Sequence, residues 1–210
     1  MRIVRVPYTP ITALTTAYAT GVTSTGAALA LAATAPTDSL AHFVTLTSGA
    51  AADLSGVAFT IVGKDADGQA QTETIAAGPN NSTVSGSKYF RELTSVTPSA
   101  TMATKVMDIG IGAASLSPTI ALDRLSISPA SLTVDITGTI NYTVKDTIAD
   151  VFKYQPSTLP WSAISALTAK TALTDGAART AATGVQILVN SVTNGATYTL
   201  WVSQASQTTG

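Results

Sequence analysis

The sequence predicts an all-β protein, with two small domains of the β-sandwich or barrel kind and an extended N-terminal arm. Three observations predict it. Apolar and small polar residues alternate with period two over many short runs. Clusters of Gly, Pro, Asn and Asp separate those runs, and apolar residues at helical spacing are scarce. Such alternation turns one face of a strand toward a core and the other away from it. Many short strands with turns between them are typical of sandwiches and barrels.

Residues 1–25 read as the arm. Pro7, Pro10 and a Thr/Ala string give neither period two nor period 3.6. Ile3, Val4, Val6 and Tyr8 place apolar side chains near the terminus, so the arm is expected to become ordered against a neighbouring subunit. Residues 26–115 read as the first domain. Val57, Phe59 and Ile61 alternate with Ala58 and Thr60, then Lys64-Asp-Ala-Asp-Gly-Gln69 forms a turn. Glu73, Ile75 and Ala77 continue the alternation, so 57–77 is a β-hairpin. Further strands are expected at 41–48, 88–97 and 105–111.

Residues 113–130, with Ser117-Pro and Ser128-Pro, mark a junction, and 116–210 reads as the second domain. Leu132, Val134 and Ile136 alternate there, as do Ile140, Tyr142 and Val144. Gly138 between them signals a bend, a bulge or a tight turn. Residues 162–173 suit a short helix, weakened by their Thr content. Runs at 185–189 and 196–202 are joined by Asn194-Gly, a strong hairpin dipeptide. Tyr142, Phe152, Tyr154, Trp161, Tyr198 and Trp201 give this half most of the large side chains available for a core. Trp201 lies on the face of the last strand opposite Tyr198, Leu200 and Val202. It is therefore either covered by a further layer or exposed for a contact.

Composition narrows the function classes. The 210 residues include 36 Thr, 20 Ser and 35 Ala, with 11% charged and 6% aromatic residues. Cysteine is absent and His42 is the one histidine, which excludes disulfide scaffolds, Cys zinc sites, iron–sulfur clusters and thiol nucleophiles. The net charge of −1 gives no electrostatic footprint for nucleic acid. Hydrophobic residues make up 45% and mean hydropathy is +0.31, which argues against disorder. So little charge leaves a surface poorly protected against association, as in a protein packed against copies of itself or against partners. The longest apolar run, 27–35, is far short of the ~20 residues that span a bilayer, so no membrane partner is expected. No apolar stretch follows the charges at the N-terminus, so no export signal is expected. The sequons at Asn80, Asn81 and Asn141 are read as chance in a Thr-rich chain.

Candidate chemistry is thin. A triad would need His42 as its base, and no Gly-x-Ser-x-Gly element accompanies it. Glycosidase chemistry would need paired carboxylates, and the only glutamates are Glu73 and Glu92. Asp65-Ala-Asp67-Gly68 begins like a calcium loop but lacks the later ligands, so a hairpin turn is the better reading and no metal or cofactor is expected. Gly110-Ile-Gly112 lacks the third glycine of a dinucleotide fingerprint. Tyr154 and Trp161 are the only clustered candidates for a sugar-stacking platform.

Two stretches carry a resemblance. The first runs from Leu54-Ser-Gly-Val-Ala-Phe-Thr-Ile-Val-Gly-Lys-Asp-Ala-Asp-Gly-Gln69 through Glu73-Thr-Ile and Gly78-Pro-Asn-Asn to Ser87-Lys-Tyr-Phe and Leu93-Thr-Ser-Val. It resembles a β-rich module of virion structural proteins of tailed bacteriophages. The second runs from Ile140-Asn-Tyr-Thr-Val-Lys-Asp-Thr-Ile-Ala-Asp-Val-Phe152 through Trp161 and Gly184-Val-Gln-Ile-Leu-Val-Asn-Ser-Val to Thr199-Leu-Trp-Val-Ser-Gln204. It is similar to small phage head-associated proteins, although Asp146 and Asp150 stand further apart than the acids of that pattern. The resemblance implies a non-enzymatic capsid decoration (cement) protein on the virion surface, synthesised in the bacterial host cytoplasm. Its implied partners are the major capsid protein and copies of itself, as dimer or trimer. The alternatives are a tail, neck or fibre component and, from another class, a carbohydrate-binding adhesin module. Candidate interface residues are Ile3, Val4, Val6, Tyr8 and Trp201.

Overall fold

A computed structural model describes residues 2–123 and 129–204. The Ser128-Pro step of the expected junction lies outside them. The fold is all-β. Its strands are β1 (Arg2–Tyr8), β2 (Leu14–Val22), β3 (Ala41–Ser48), β4 (Ala58–Lys64), β5 (Ala70–Ala76), β6 (Thr83–Phe90), β7 (Glu92–Pro98) and β8 (Met107–Leu116). There follow β9 (Ile120–Ala121), β10 (Ser131–Thr137), β11 (Ile140–Thr147), β12 (Ser162–Ala163), β13 (Thr174–Ala177), β14 (Gly184–Val192) and β15 (Thr197–Gln204). The helical segments among the described residues are two single 3-10 turns, Pro156–Thr158 and Ser165–Leu167.

The chain forms two compact units: a middle unit, Ala13–Ser115, and a terminal unit that joins Met1–Thr12 to Leu116–Gly210. In the middle unit β5, β4 and β7 form one sheet, and β8, β3 and β6 run side by side in another, with β2 on β8. The expected hairpin is β4–β5, in register from Ala58↔Ala76 to Lys64↔Ala70. Its alternation buries Phe59, Ile61 and Ile75 with Val44, Leu46, Leu93 and Val96. The single strand expected at 88–97 is instead two, β6 and β7, because the chain leaves one sheet for the other at Arg91. The apolar run 27–35 is a covering loop rather than a strand or span. Its Leu29 is buried, and its backbone bonds to Val96 and Tyr18.

In the terminal unit one sheet has the order β1-β15-β10-β13, and β12-β11-β14, with β9 on β14, forms the opposing layer. Leu132, Val134, Tyr198, Leu200 and Val202 are buried on the first, and Ile140, Tyr142, Val144, Val185, Ile187 and Val189 on the second. These are the alternating positions of the sequence. Three expectations change here. Residues 1–25 do not form one arm awaiting a neighbour. β1 pairs with β15 of its own chain over seven residues, from Arg2↔Gln204 to Tyr8↔Tyr198, and β2 belongs to the middle unit. Residues 162–173 are not a helix, because their backbone is taken by β11: Ile164 N–H donates to Val144, and Lys170 and Tyr142 bond reciprocally. Asn194-Gly is not a hairpin turn, since β14 and β15 lie in different sheets.

Gly195 and Gly138, at φ of 79° and 83°, instead carry the chain from one layer to the other. Left-handed backbone of this kind favours glycine. The Thr193 N–H bond to the Thr139 carbonyl (3.0 Å) holds the two crossings together. A side chain at Gly138 would strike Ala196, its Cβ only 2.8 Å away.

Deleting residues 2–8 tests the β1 pairing. Loss of the half-buried Val4, Val6 and Tyr8 removes about 3 kcal/mol and lowers the melting temperature of the isolated chain by roughly 6–12 °C. An arm ordered only by a neighbour would leave that temperature unchanged.

Burial raises the Tyr18 hydroxyl far above the ordinary tyrosine range, with Asp38 adding to it, and pushes Tyr89 up to about 12. The fold keeps both protonated. Their contribution is complete below the unfolded value near 10 and is lost as pH rises from there through the folded values. Denaturant midpoints therefore fall above about pH 10, and ultraviolet titration shows these two tyrosines ionising only as the chain unfolds.

Candidate functional site

The sheet β1-β15-β10-β13 presents its second face outward. Directly opposed residues share a face, so the register sets the rows: Arg5, Trp201, Thr133 and Asp175 form one, and Ile3, Ser203, Ser131 and Ala177 the next. Trp201 is 39% exposed and Ile3 55%. The Arg5 guanidinium lies 5.3 Å from the Trp201 ring centre, close enough for cation–π attraction. On the other side Thr133 Oγ1–H donates to the Asp175 carboxylate (2.6 Å). The inner side explains the spacing. Gly176 faces inward, where a Cβ would meet Leu167 at 2.8 Å.

The five candidate interface residues therefore divide. Ile3 and Trp201 share the outer face. Val4, Val6 and Tyr8 point the other way, opposite Val202, Leu200 and Tyr198, and the rings of Tyr8 and Tyr198 lie 5.3 Å apart. Arg5, Thr133 and Asp175 went unnoticed in the sequence. Their parity along each strand was legible, but the strand order that sets them beside Trp201 was not.

The loop from β11 to β12 forms a second surface. Ile148, Phe152 and Tyr154 are 58%, 63% and 51% exposed. Phe152 and Tyr154 were expected to help fill a core, and instead they project from a tethered turn. Asp150 accepts the Phe152 N–H on its carboxylate (3.0 Å) and the Tyr154 N–H on its carbonyl (3.0 Å). Thr147 Oγ1–H donates to the Pro160 carbonyl (2.9 Å), and Thr183 Oγ1–H donates to the Ala149 carbonyl. Trp161 Nε1–H donates to the Pro156 carbonyl (2.9 Å) and its ring packs toward Gly184. Trp161 thus staples the loop rather than lying open beside Tyr154, whose own ring has Lys153 Nζ 5.0 Å from its centre. Asp146, the other acid of the resembling turn, is buried. It binds Arg179 through the backbone N–H (2.7 Å) and the guanidinium (2.8 Å).

The residues considered for chemistry all have structural partners. His42 is fully buried; its Nε2 lies 2.9 Å from the Asp38 carboxylate and its Nδ1 3.2 Å from the Gly112 carbonyl. Both ring nitrogens thus sit against structural neighbours inside the middle unit. Asp65 accepts the N–H groups of Asp67 (2.9 Å) and Gln69 (2.8 Å), closing the β4–β5 turn. Glu73 accepts from Ser87 N–H (2.6 Å) and Oγ–H (2.7 Å), and Glu92 pairs with Lys64 (2.9 Å). Among the described residues no three His, Cys, Asp or Glu side chains gather to hold a metal. A cleft is lined by Pro36, Ser39, Lys64, Arg91 and Glu92, together with Ala35 and Gly68. No helix among the described residues is long and apolar enough to cross a membrane.

No protein-family model matches the chain, and neither a curated protein nor a solved structure does.

His42→Ala removes one buried hydrogen-bond partner of the Asp38 carboxylate, which keeps the Leu40 N–H, and costs about 1–3 kcal/mol, read from denaturant unfolding. Replacing both residues with apolar ones costs less than the two single changes added together. Strict additivity would show that the pair is not coupled.

Proposed function

We propose that this protein is a non-enzymatic structural component of a tailed-phage particle. It is of the decoration type, made in the host cytoplasm and bound in many copies to the outer capsid surface. The observation that carries the reading is the β11–β12 loop: three large apolar side chains held outward by hydrogen bonds at its base. Such a loop is pre-organised, so little ordering entropy is lost when it docks. Aromatic side chains are the usual anchors of an interface. The low charge of the chain supports the same reading, because its contacts rest on apolar burial rather than on charge recognition. A particle with many copies also tolerates a modest contact at each site, since linked contacts multiply. In this reading the major capsid protein is the partner of the loop.

The test is co-sedimentation with purified heads. The protein is expected in a fixed ratio to the major shell protein. Phe152→Ala with Tyr154→Ala is expected to weaken binding by tenfold or more, at about 1–2 kcal/mol for each anchor, with the melting temperature unchanged. Recovery with isolated tails would favour the tail, neck or fibre alternative. Retention on host glycans, abolished by Tyr154→Ala, would favour the adhesin.

A further inference from the structure

We infer that the outer face of the sheet β1-β15-β10-β13 is a self-complementary dimer surface whose occupant is a second copy of this chain. The argument is the order of residues across one row: Arg5, Trp201, Thr133, Asp175. The cation stands at one edge of the sheet and the anion at the other. A two-fold axis running along the strands, between β15 and β10, exchanges β1 with β13 and β15 with β10. It sets each Arg5 over the second copy's Asp175 and each Trp201 over the second copy's Thr133. The next row obeys the same operation, with Ile3 over Ala177, an apolar pair. An isologous interface requires a patch that complements itself under rotation in this way, and both rows satisfy it. No like charges meet in either row.

The geometry suits face-to-face packing. Stacked sheets lie about 10 Å apart, within reach of an extended arginine opposite an aspartate. Trp201 supplies a large central side chain beside small Ser and Thr residues, which leaves room for the ring of one copy over the threonine of the other. Four strands at about 4.8 Å spacing make a small patch, below the standard size for a stable complex. The dimer is therefore weak in solution, and copies held close together on a surface would strengthen it. The inference does not rest on the particle reading and is tested on the free protein.

Sedimentation equilibrium over a wide concentration range, up to about millimolar, reads the dissociation constant. The wild-type chain is expected to show a reversible monomer–dimer equilibrium. Arg5→Asp alone and Asp175→Arg alone each place like charges opposite one another, and each is expected to weaken association tenfold or more. Mixing the two variants restores opposite charges at both contacts, so the mixture is expected to form a heterodimer about as strong as wild type. The double variant within one chain is expected to do the same. Both residues are exposed, and circular dichroism of each variant checks its fold. A wild-type chain that stays monomeric throughout would overturn the inference. So would single variants that associate as well as wild type, or a mixture that fails to recover.

Discussion

The main-chain pairing of β1 with β15 is the constraint on which the terminal unit depends. Seven residues from the start of the chain meet seven from its far end in one antiparallel register. Side-chain direction in a strand has period two, so a shift of one residue would turn every side chain to the wrong face. In the observed register Val4, Val6 and Tyr8 join Val202, Leu200 and Tyr198 inside, and Ile3 and Arg5 join Ser203 and Trp201 outside. The same alternation thus builds the core and displays the outer face. The middle unit is inserted in the chain between β1 and the rest of the terminal unit.

Polar groups fix what apolar burial leaves open. Tyr142 OH donates to the Ala172 carbonyl, Arg179 closes on buried Asp146, and Gln186 bonds Thr119. Each satisfies a buried polar atom that would otherwise carry a desolvation cost of about 1–3 kcal/mol. In the middle unit Asp38 and His42 play that part. The Thr-rich composition serves the same end: hydroxyls of Thr147, Thr158 and Thr183 bond nearby carbonyls and tie down loops that have no helix to brace them. The surfaces left over are those with exposed large side chains and no such role.

Much of the fold was legible in the sequence, because a half-buried strand writes its alternation directly. The β4–β5 hairpin, β3, β10 and β11 were all readable from Phe59, Ile61, Leu132, Val134, Tyr142 and their neighbours. What could not be read was partnership. Asn194-Gly is the same dipeptide whether it closes a hairpin or crosses between layers, and the outcome is set by which strands lie beside β14 and β15. β1 looked aperiodic because apolar Ile3 on its outer face adjoins Val4 on its inner one and Pro7 argues against a strand, and its partners lie 190 to 202 residues away. Ser162–Leu173 has weak preference for any element, so its contact with β11 decided its shape. Of the candidate site, Trp201 stood out from its parity alone. Phe152 did not, and Tyr154 stood out only as part of a sugar platform with Trp161, since hydrophobicity argues for burial wherever hydrogen bonds in the loop are unseen.

The terminal unit presents two different outward surfaces. One surface is a tethered apolar loop and the other a flat sheet face with ordered charge, and both depend on the terminal unit being closed by its own first strand. Hydrogen–deuterium exchange on the isolated chain at neutral pH measures that closure most directly. The account predicts slow exchange for the β1 amides that face β15, comparable with those joining β10 to β15. Fast exchange across residues 3–8, with β10 and β15 protected, would contradict it.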